Sequence, residues 1–203
     1  MQNQEYWSNV YRTKEADSVS WYQLTPESSL RALDQFEVPS SASLIDVGGG
    51  ASSLVDRLNE RGWHDLTVLD IAAPALEVAK TRLGQSSQQV QWLVADITEW
   101  LPSRTFDVWH DRAVFHFLTN SDQRKAYRRA LNAGVKPGGL VIIATFAPDG
   151  PERCSGLPVQ RYDTSGLERE LGPAFQLVGN WREEHPTPGG SKQAFNWCVF
   201  KRT

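Results

Sequence analysis

Ser43-Leu44-Ile45-Asp46-Val47-Gly48-Gly49-Gly50-Ala51-Ser52 decides how this chain folds. An apolar run ends in an acid, glycines follow, and a helical pattern then covers Ser53–Arg61. The order reads as strand, tight turn, helix. Glycine has no Cβ, so the backbone can turn sharply there and come close to a ligand. The helix behind the turn aims free N–H groups into it. About 20 residues further on, Leu66-Thr67-Val68-Leu69 ends in Asp70, the spacing at which a strand-end carboxylate accepts hydrogen bonds from a ribose diol. The expected ligand is an adenosine-type cofactor. Asp46 stands where it would repel a phosphate, and no Gly-Lys-Ser/Thr ending follows, so a Walker-type phosphate loop is excluded. An acid at that place suits a cationic group, an ammonium or a sulfonium. Read as Gly-x-Gly-x-x-Gly from Gly48 and Gly50, the third glycine falls on Ser53, which makes a dehydrogenase a poor fit.

The alternation continues outward on both sides. Ser43–Val47, Leu66–Leu69, Val90–Val94, Phe106–Trp109 and Leu140–Phe146 read as strands. Ser53–Arg61, Pro74–Leu83 and Asp122–Val135 read as helices, with Pro74 suited to a first turn and Gly84 to a stop. Strands alternating with helices predict an α/β fold, a parallel sheet with helices on both faces. Ligands of such sheets bind at the carboxyl ends of the strands, where Asp46, Asp70, Asp96 and His110-Asp111 all fall. After Phe146 the pattern changes. Residues 147–158 read as a Pro- and Gly-rich loop. Asp163–Leu171 reads as a short helix with Asp163 as N-cap. Phe175–Trp181 and Ala194–Lys201 read as two strands around the turn-rich stretch Glu183–Lys192. Phe195, Trp197 and Val199 should share one face, and Asn196, Cys198 and Phe200 the other.

The ordered motifs resemble those of the class I S-adenosylmethionine-dependent methyltransferases. Asp46-Val47-Gly48-Gly49-Gly50-Ala51-Ser52 is similar to their first motif, with Ser52 at the place of its last glycine. Asp70, followed by Ile71, resembles their ribose-binding acid. Val94-Ala95-Asp96-Ile97 resembles the motif whose Asp receives the adenine amino group. Lys136-Pro137-Gly138-Gly139-Leu140 resembles the turn before their fifth strand. The resemblance covers roughly residues 43–146. It implies one Rossmann-like domain over 1–203: an N-terminal arm (1–40), a cofactor-binding core (43–146), and a substrate loop with a closing antiparallel hairpin (147–203). The implied sheet is mostly parallel and seven-stranded. S-adenosylmethionine is the implied cofactor and S-adenosylhomocysteine its product.

Glu5–Gln23 carries Tyr6, Trp7, Val10, Tyr11, Trp21 and Tyr22. Trp7, Val10 and Tyr11 share a helical face, which either packs on the core or covers a cofactor, since aromatic faces stabilise cations. The order Trp-x-x-x-Tyr then Trp-Tyr resembles the cofactor-covering arm of several small-molecule methyltransferases and some lysine methyltransferases. Trp7, Tyr11 and Trp21 are therefore expected at the cofactor.

Trp109-His110-Asp111-Arg112-Ala113-Val114-Phe115-His116 ends where a methyl group should sit. Asp111-Arg112-Ala113 resembles a segment of the thiopurine-type thiol methyltransferases, and Asp-Lys-Gly occupies the place in lysine methyltransferases of elongation factors. Asp111 either holds the methionine ammonium or deprotonates the acceptor, or else caps the next helix or pairs with Arg112. His116 is a second catalytic candidate and His110 a weaker one. Arg112 binds an anionic substrate group or pairs with Asp107 or Asp111. Arg153, Cys154, Arg161 and Tyr162 lie in the loop after the fifth strand and are expected to recognise the acceptor, Cys154 alternatively as a small buried residue.

With 203 residues, 40% of them hydrophobic and 22% charged, the chain suits one globular domain. A net charge of −3 argues against a general nucleic-acid binder. Cys154 and Cys198 form no metal-ligand or disulfide pattern. No membrane-spanning run or secretory signal is visible, so the cytoplasm is the expected compartment. The expected reaction is methyl transfer to a small-molecule nucleophile, a thiol or other soft acceptor. The rivals are a protein-lysine methyltransferase and a non-catalytic cofactor-binding module.

Overall fold

A computed structural model describes residues 2–203, with backbone alone at 2 and 3. The order of elements is α1 (Gln2–Thr13), α2 (Glu27–Gln35), β1 (Leu44–Val47), α3 (Leu54–Glu60), β2 (Leu66–Asp70), α4 (Ala73–Leu83), β3 (Val90–Val94), β4 (Phe106–Arg112), α5 (Ser121–Gly134), β5 (Val135–Phe146), β6 (Arg153–Cys154), β7 (Leu157–Pro158), α6 (Thr164–Leu171), β8 (Phe175–Pro186) and β9 (Lys192–Arg202). Seven strands form one sheet in the order β3-β2-β1-β4-β5-β9-β8. β1 to β5 run parallel, and β9 enters antiparallel between β5 and β8. The order turns back at β1, so β1 and β4 flank the topological switch point where such sheets bind ligands.

Side-chain alternation assigns each strand residue to a face. Leu44, Val108, Ile142, Phe195, Trp197 and Val199 meet α2, α3 and α4 on one face; Ile45, Trp109, Ile143, Cys198 and Phe200 meet α5 and α6 on the other. The parity expected of β9 is therefore correct. It also sorts the functional candidates. Asp46 pairs in register with His110, and Val47 with Asp111. Asp46, His110 and Arg112 thus share the first face, while Asp111 points to the second.

Several elements differ from the sequence reading. β4 continues past Trp109 because His110, Asp111 and Arg112 pair with Ile142, Ile143 and Ala144 of β5. β8 and β9 run through the turn-rich stretch and close at Thr187–Ser191, since Glu183 through Pro186 pair with Phe195 through Lys192. Pro186 is tolerated there because β8 is an edge strand. α2 was not expected at all. It carries only a short apolar stripe, Leu30, Ala32 and Leu33, and no side-chain cap at its N-terminus, so it forms because tertiary packing buries that stripe.

Candidate cofactor and acceptor site

The turn after β1 holds its shape through glycine. Gly48 sits at φ +71°, and a Cβ there would fall 2.0 Å from Val114 Cγ2. A Cβ on Gly50 would fall 2.6 Å from the Asp70 carboxylate. The turn therefore lies directly against the residues after β4 and against the end of β2.

Two adjoining chambers open at these strand ends. The larger is lined by Gly48, Leu69, Asp70, Ile71, Asp96, Ile97 and Thr98 on the strand side, and by Trp7, Tyr11, Trp21, Arg112, Phe117 and Cys154 opposite. The smaller is lined by Asp46, Gly48, Gly49, Ser53, His110, Ser29, Tyr11, Trp21 and Arg112 among others. The strand-end convergence read from the sequence thus holds for Asp46, Asp70 and Asp96.

Each of these acids has a definite environment. Asp70 accepts from the Ala72 N–H through Oδ1 at 2.8 Å. Burial pushes it up to about 7, and the charge of Asp46 adds to this. Asp96 commits Oδ1 to the Thr98 N–H and hydroxyl, at 2.8 and 2.7 Å. Asp46 Oδ1 receives His110 Nδ1 at 2.7 Å, and His110 Nε2 meets the Ser29 hydroxyl at 2.9 Å. This buried chain, Ser29–His110–Asp46, fixes the carboxylate that faces the smaller chamber.

The arm roofs the site. Trp7 packs edge-on against Trp21 and Phe117, with centroids 5.6 and 5.2 Å apart. Trp21 Nε1–H donates to the Tyr11 hydroxyl at 3.1 Å. The Tyr6 hydroxyl donates to the Ser155 carbonyl, tying α1 to the β6–β7 loop. Val10 is buried on the inner side of α1, while Trp7 and Tyr11 face the cavity. If the roof closes over a bound cofactor, ligand should protect it. Limited proteolysis within the first twenty or so residues is expected to slow several-fold with S-adenosylhomocysteine, and Trp21 fluorescence to change. Equal cleavage rates with and without ligand would remove the lid role.

Other expected site residues lie elsewhere. Asp111 is fully buried on the opposite face. Its Oδ1 accepts from Val114 N–H at 2.9 Å, and its Oδ2 from Phe115 N–H at 3.2 Å and the Tyr127 hydroxyl at 2.7 Å. It caps the turn that follows β4, so the expectation that it touches cofactor or acceptor is corrected; the parity of β4 is the reason. His116 is also fully buried, and Phe146 N–H donates to its Nδ1 at 3.3 Å. Burial, aided by Arg112, pushes it down to about 3, so it stays neutral, and it lines neither chamber. Arg153 donates to the Gly156 carbonyl, Arg161 pairs with Glu152, and Tyr162 packs behind Phe115. None of these lines either chamber; of the loop residues only Cys154 does. Burial pushes the Cys154 thiol up to about 11, so it is protonated at neutral pH.

Arg112 pairs with neither Asp107 nor Asp111. Asp107 takes Lys136 at 2.8 Å instead. Sequence reading passed over Phe117, Leu118, Gln123, Thr98 and Ser29, which also line the site. Their only signal was position after a strand end, for Gln123 place in the first turn of α5, or, for Ser29, a helix that left no clear mark.

A family model described as "Methyltransferase domain" matches residues 44–139. An EEF1A lysine methyltransferase 2 from Danio rerio is 25% identical over 98% of this chain and 86% of its own length. A malonyl-[acyl-carrier protein] O-methyltransferase 2 from Ilyobacter polytropus is 26% identical over 53% of this chain, which spans only 40% of that relative. The crystal structure of Burkholderia thailandensis 1,6-didemethyltoxoflavin-N1-methyltransferase, with bound 1,6-didemethyltoxoflavin and S-adenosylhomocysteine, superposes with a TM-score of 0.74 at 19% identity, covering 99% of this chain and 87% of that one. Fold, strand-end acids and matched region together point to a methyltransferase enzyme whose fold is similar to that of the S-adenosylmethionine-dependent methyltransferases. S-adenosylmethionine is its cofactor. The residues present fit that group: buried Asp70 keeps its second oxygen free of side-chain partners, and Asp96 spends only one.

Proposed function

We propose that this chain, as one domain, transfers the methyl group of S-adenosylmethionine to a small, soft nucleophile, in the manner of the thiopurine-type thiol methyltransferases. The observation that carries this reading is the roof. α1 is anchored on the β6–β7 loop through Tyr6 and packs on α4, which leaves a roofed, aromatic-walled cavity suited to a small acceptor rather than a wide groove suited to a folded protein. In this reading Asp70 holds the ribose, Asp96 the adenine amino group, and Asp46 the ammonium. Trp7, Tyr11 and Trp21 cover the cationic end. Bound cofactor supplies an electrophilic methyl on a sulfonium, and the chain's part is to align the acceptor and keep water out.

The protonation states support a soft acceptor. Tyr11 and Cys154 are both pushed up by burial, Arg112 is a cation, and Asp70 and Asp96 serve the cofactor. Among the described residues lining the larger chamber, no neutral histidine or spare carboxylate stands ready as a base. A thiol, whose ordinary pKa is about 8.5, ionises without one, whereas a lysine at about 10.4 needs help. The cytoplasm, with its reduced small thiols, is the compartment that fits.

The full-length similarity to an EEF1A lysine methyltransferase favours a second reading, protein-lysine methylation. Radiolabelled cofactor offered to a panel of small thiols, carboxylates and amines, beside a cell lysate, separates the two. Turnover of a small thiol or other soft nucleophile is expected. Labelling of a lysate protein with no small-molecule turnover would replace the first reading by the second.

A further inference from the structure

Arg112 is a buried charge without a counter-charge. Nη1–H donates to the Trp21 carbonyl at 3.1 Å, and the guanidinium lies 4.6 Å over the Phe195 ring. Nε and Nη2 are buried and have no hydrogen-bond partner. Among the described residues no carboxylate lies within ion-pair distance: Glu183, the nearest in influence, is spent on Gln23 and Trp197. A desolvated cation left in this state costs free energy that a bound anion recovers. The unused donors make up the Nε/Nη2 edge, and that edge grips a carboxylate with two parallel hydrogen bonds.

We infer that Arg112 is a carboxylate receptor, engaging its ligand side-on through Nε and Nη2. The side chain borders both chambers. In the smaller chamber it faces the same space as Asp46, and the two form a plus–minus pair not in contact with each other, the complement of an amino acid's ammonium and carboxylate. In the larger chamber it stands beside Cys154, where an acceptor would carry an acid group. The carboxylate is thus the cofactor's own or the acceptor's. The second source rests on the small-acceptor reading; the first rests only on the cofactor.

Binding measurements on the full chain separate these sources without knowing the acceptor. S-adenosylhomocysteine and 5′-methylthioadenosine share the adenosine thioether, and only the first carries the amino-acid end. Titration calorimetry of both is run on wild type, Arg112→Met and Arg112→Lys. If the cofactor supplies the carboxylate, Arg112→Met weakens S-adenosylhomocysteine about ten- to hundred-fold, as expected for a charged hydrogen-bond pair, and leaves methylthioadenosine unchanged. If the acceptor supplies it, S-adenosylhomocysteine binds equally to all three proteins. Benzoate then raises the melting temperature of the loaded wild type but not of loaded Arg112→Met. Equal S-adenosylhomocysteine affinity together with no benzoate effect, or one benzoate effect in all proteins, overturns the inference. Methylthioadenosine affinity reports that each variant is folded. Should Arg112→Met fail to fold, Arg112→Lys carries the same comparison, because it keeps the charge and loses the fork. Wild type that binds neither adenosine ligand would instead sink the cofactor assignment.

Discussion

Asp70→Ala is expected to lose cofactor binding by about 1.5–3 kcal/mol, the worth of hydrogen bonds to a charged group. The loss should be smaller below neutrality. Burial pushes Asp70 up to about 7 in the ligand-free protein, and a ribose diol donates best to the ionised form. Wild-type affinity for S-adenosylhomocysteine should then rise roughly tenfold from pH 6 to pH 8 and level off above, with about half a proton released per binding event at pH 7 and nearly one at pH 6. Asp70→Ala should flatten this profile. The sign for folding is the reverse. An acid whose folded pKa lies above its unfolded value near 3.8 holds its proton more tightly when folded. Its contribution favours folding at low pH and is lost as pH rises from about 4 to about 7, so empty protein should weaken across that window while the loaded protein gains. Calorimetry at several pH values in buffers of different ionisation enthalpy checks both. A pH-independent affinity, or an Asp70→Ala protein that binds like wild type, would remove Asp70 from the ribose.

Asp111→Ala should cost stability rather than chemistry. The substitution leaves Val114 N–H, Phe115 N–H and the Tyr127 hydroxyl buried without their acceptor. Each such loss costs about 1–3 kcal/mol, and about 3–5 kcal/mol together, since effects within one network are not additive. At this chain length a loss of that size lowers the melting temperature by about 10 °C or more. Asp111→Asn keeps an acceptor oxygen and avoids burying a charge that burial already pushes up to about 6, so it should cost far less. Denaturant unfolding of the two variants, set beside cofactor affinity below the transition, distinguishes a structural cap from a site residue. If Asp111→Ala unfolded like wild type yet bound cofactor an order of magnitude more weakly, Asp111 would return to the site.

The two acids illustrate the division between sequence and tertiary structure. Local signals determined the scaffold. Alternating strands and helices announced the parallel sheet, and glycines at Gly48 and Gly50 announced a turn that only residues without a Cβ can make against Val114 and Asp70. The acids at strand ends followed, because chain order and strand length place Asp46, Asp70 and Asp96 at one edge. Period-2 alternation also contained the answer for Asp111: once Asp46 is known to stand opposite His110, the next residue must point to the other face. The register itself is a long-range pairing, and no stretch of chain states it. The same holds for Arg153, Arg161 and Tyr162, whose chemistry suited a binding loop but whose side chains turn to Gly156, Glu152 and Phe115. The sequence could show which charged side chains the chain carries. Only the packed structure decided which keep their charges unpaired, because a counter-charge is a neighbour in space, and Arg112 was left without one while Asp107 found Lys136.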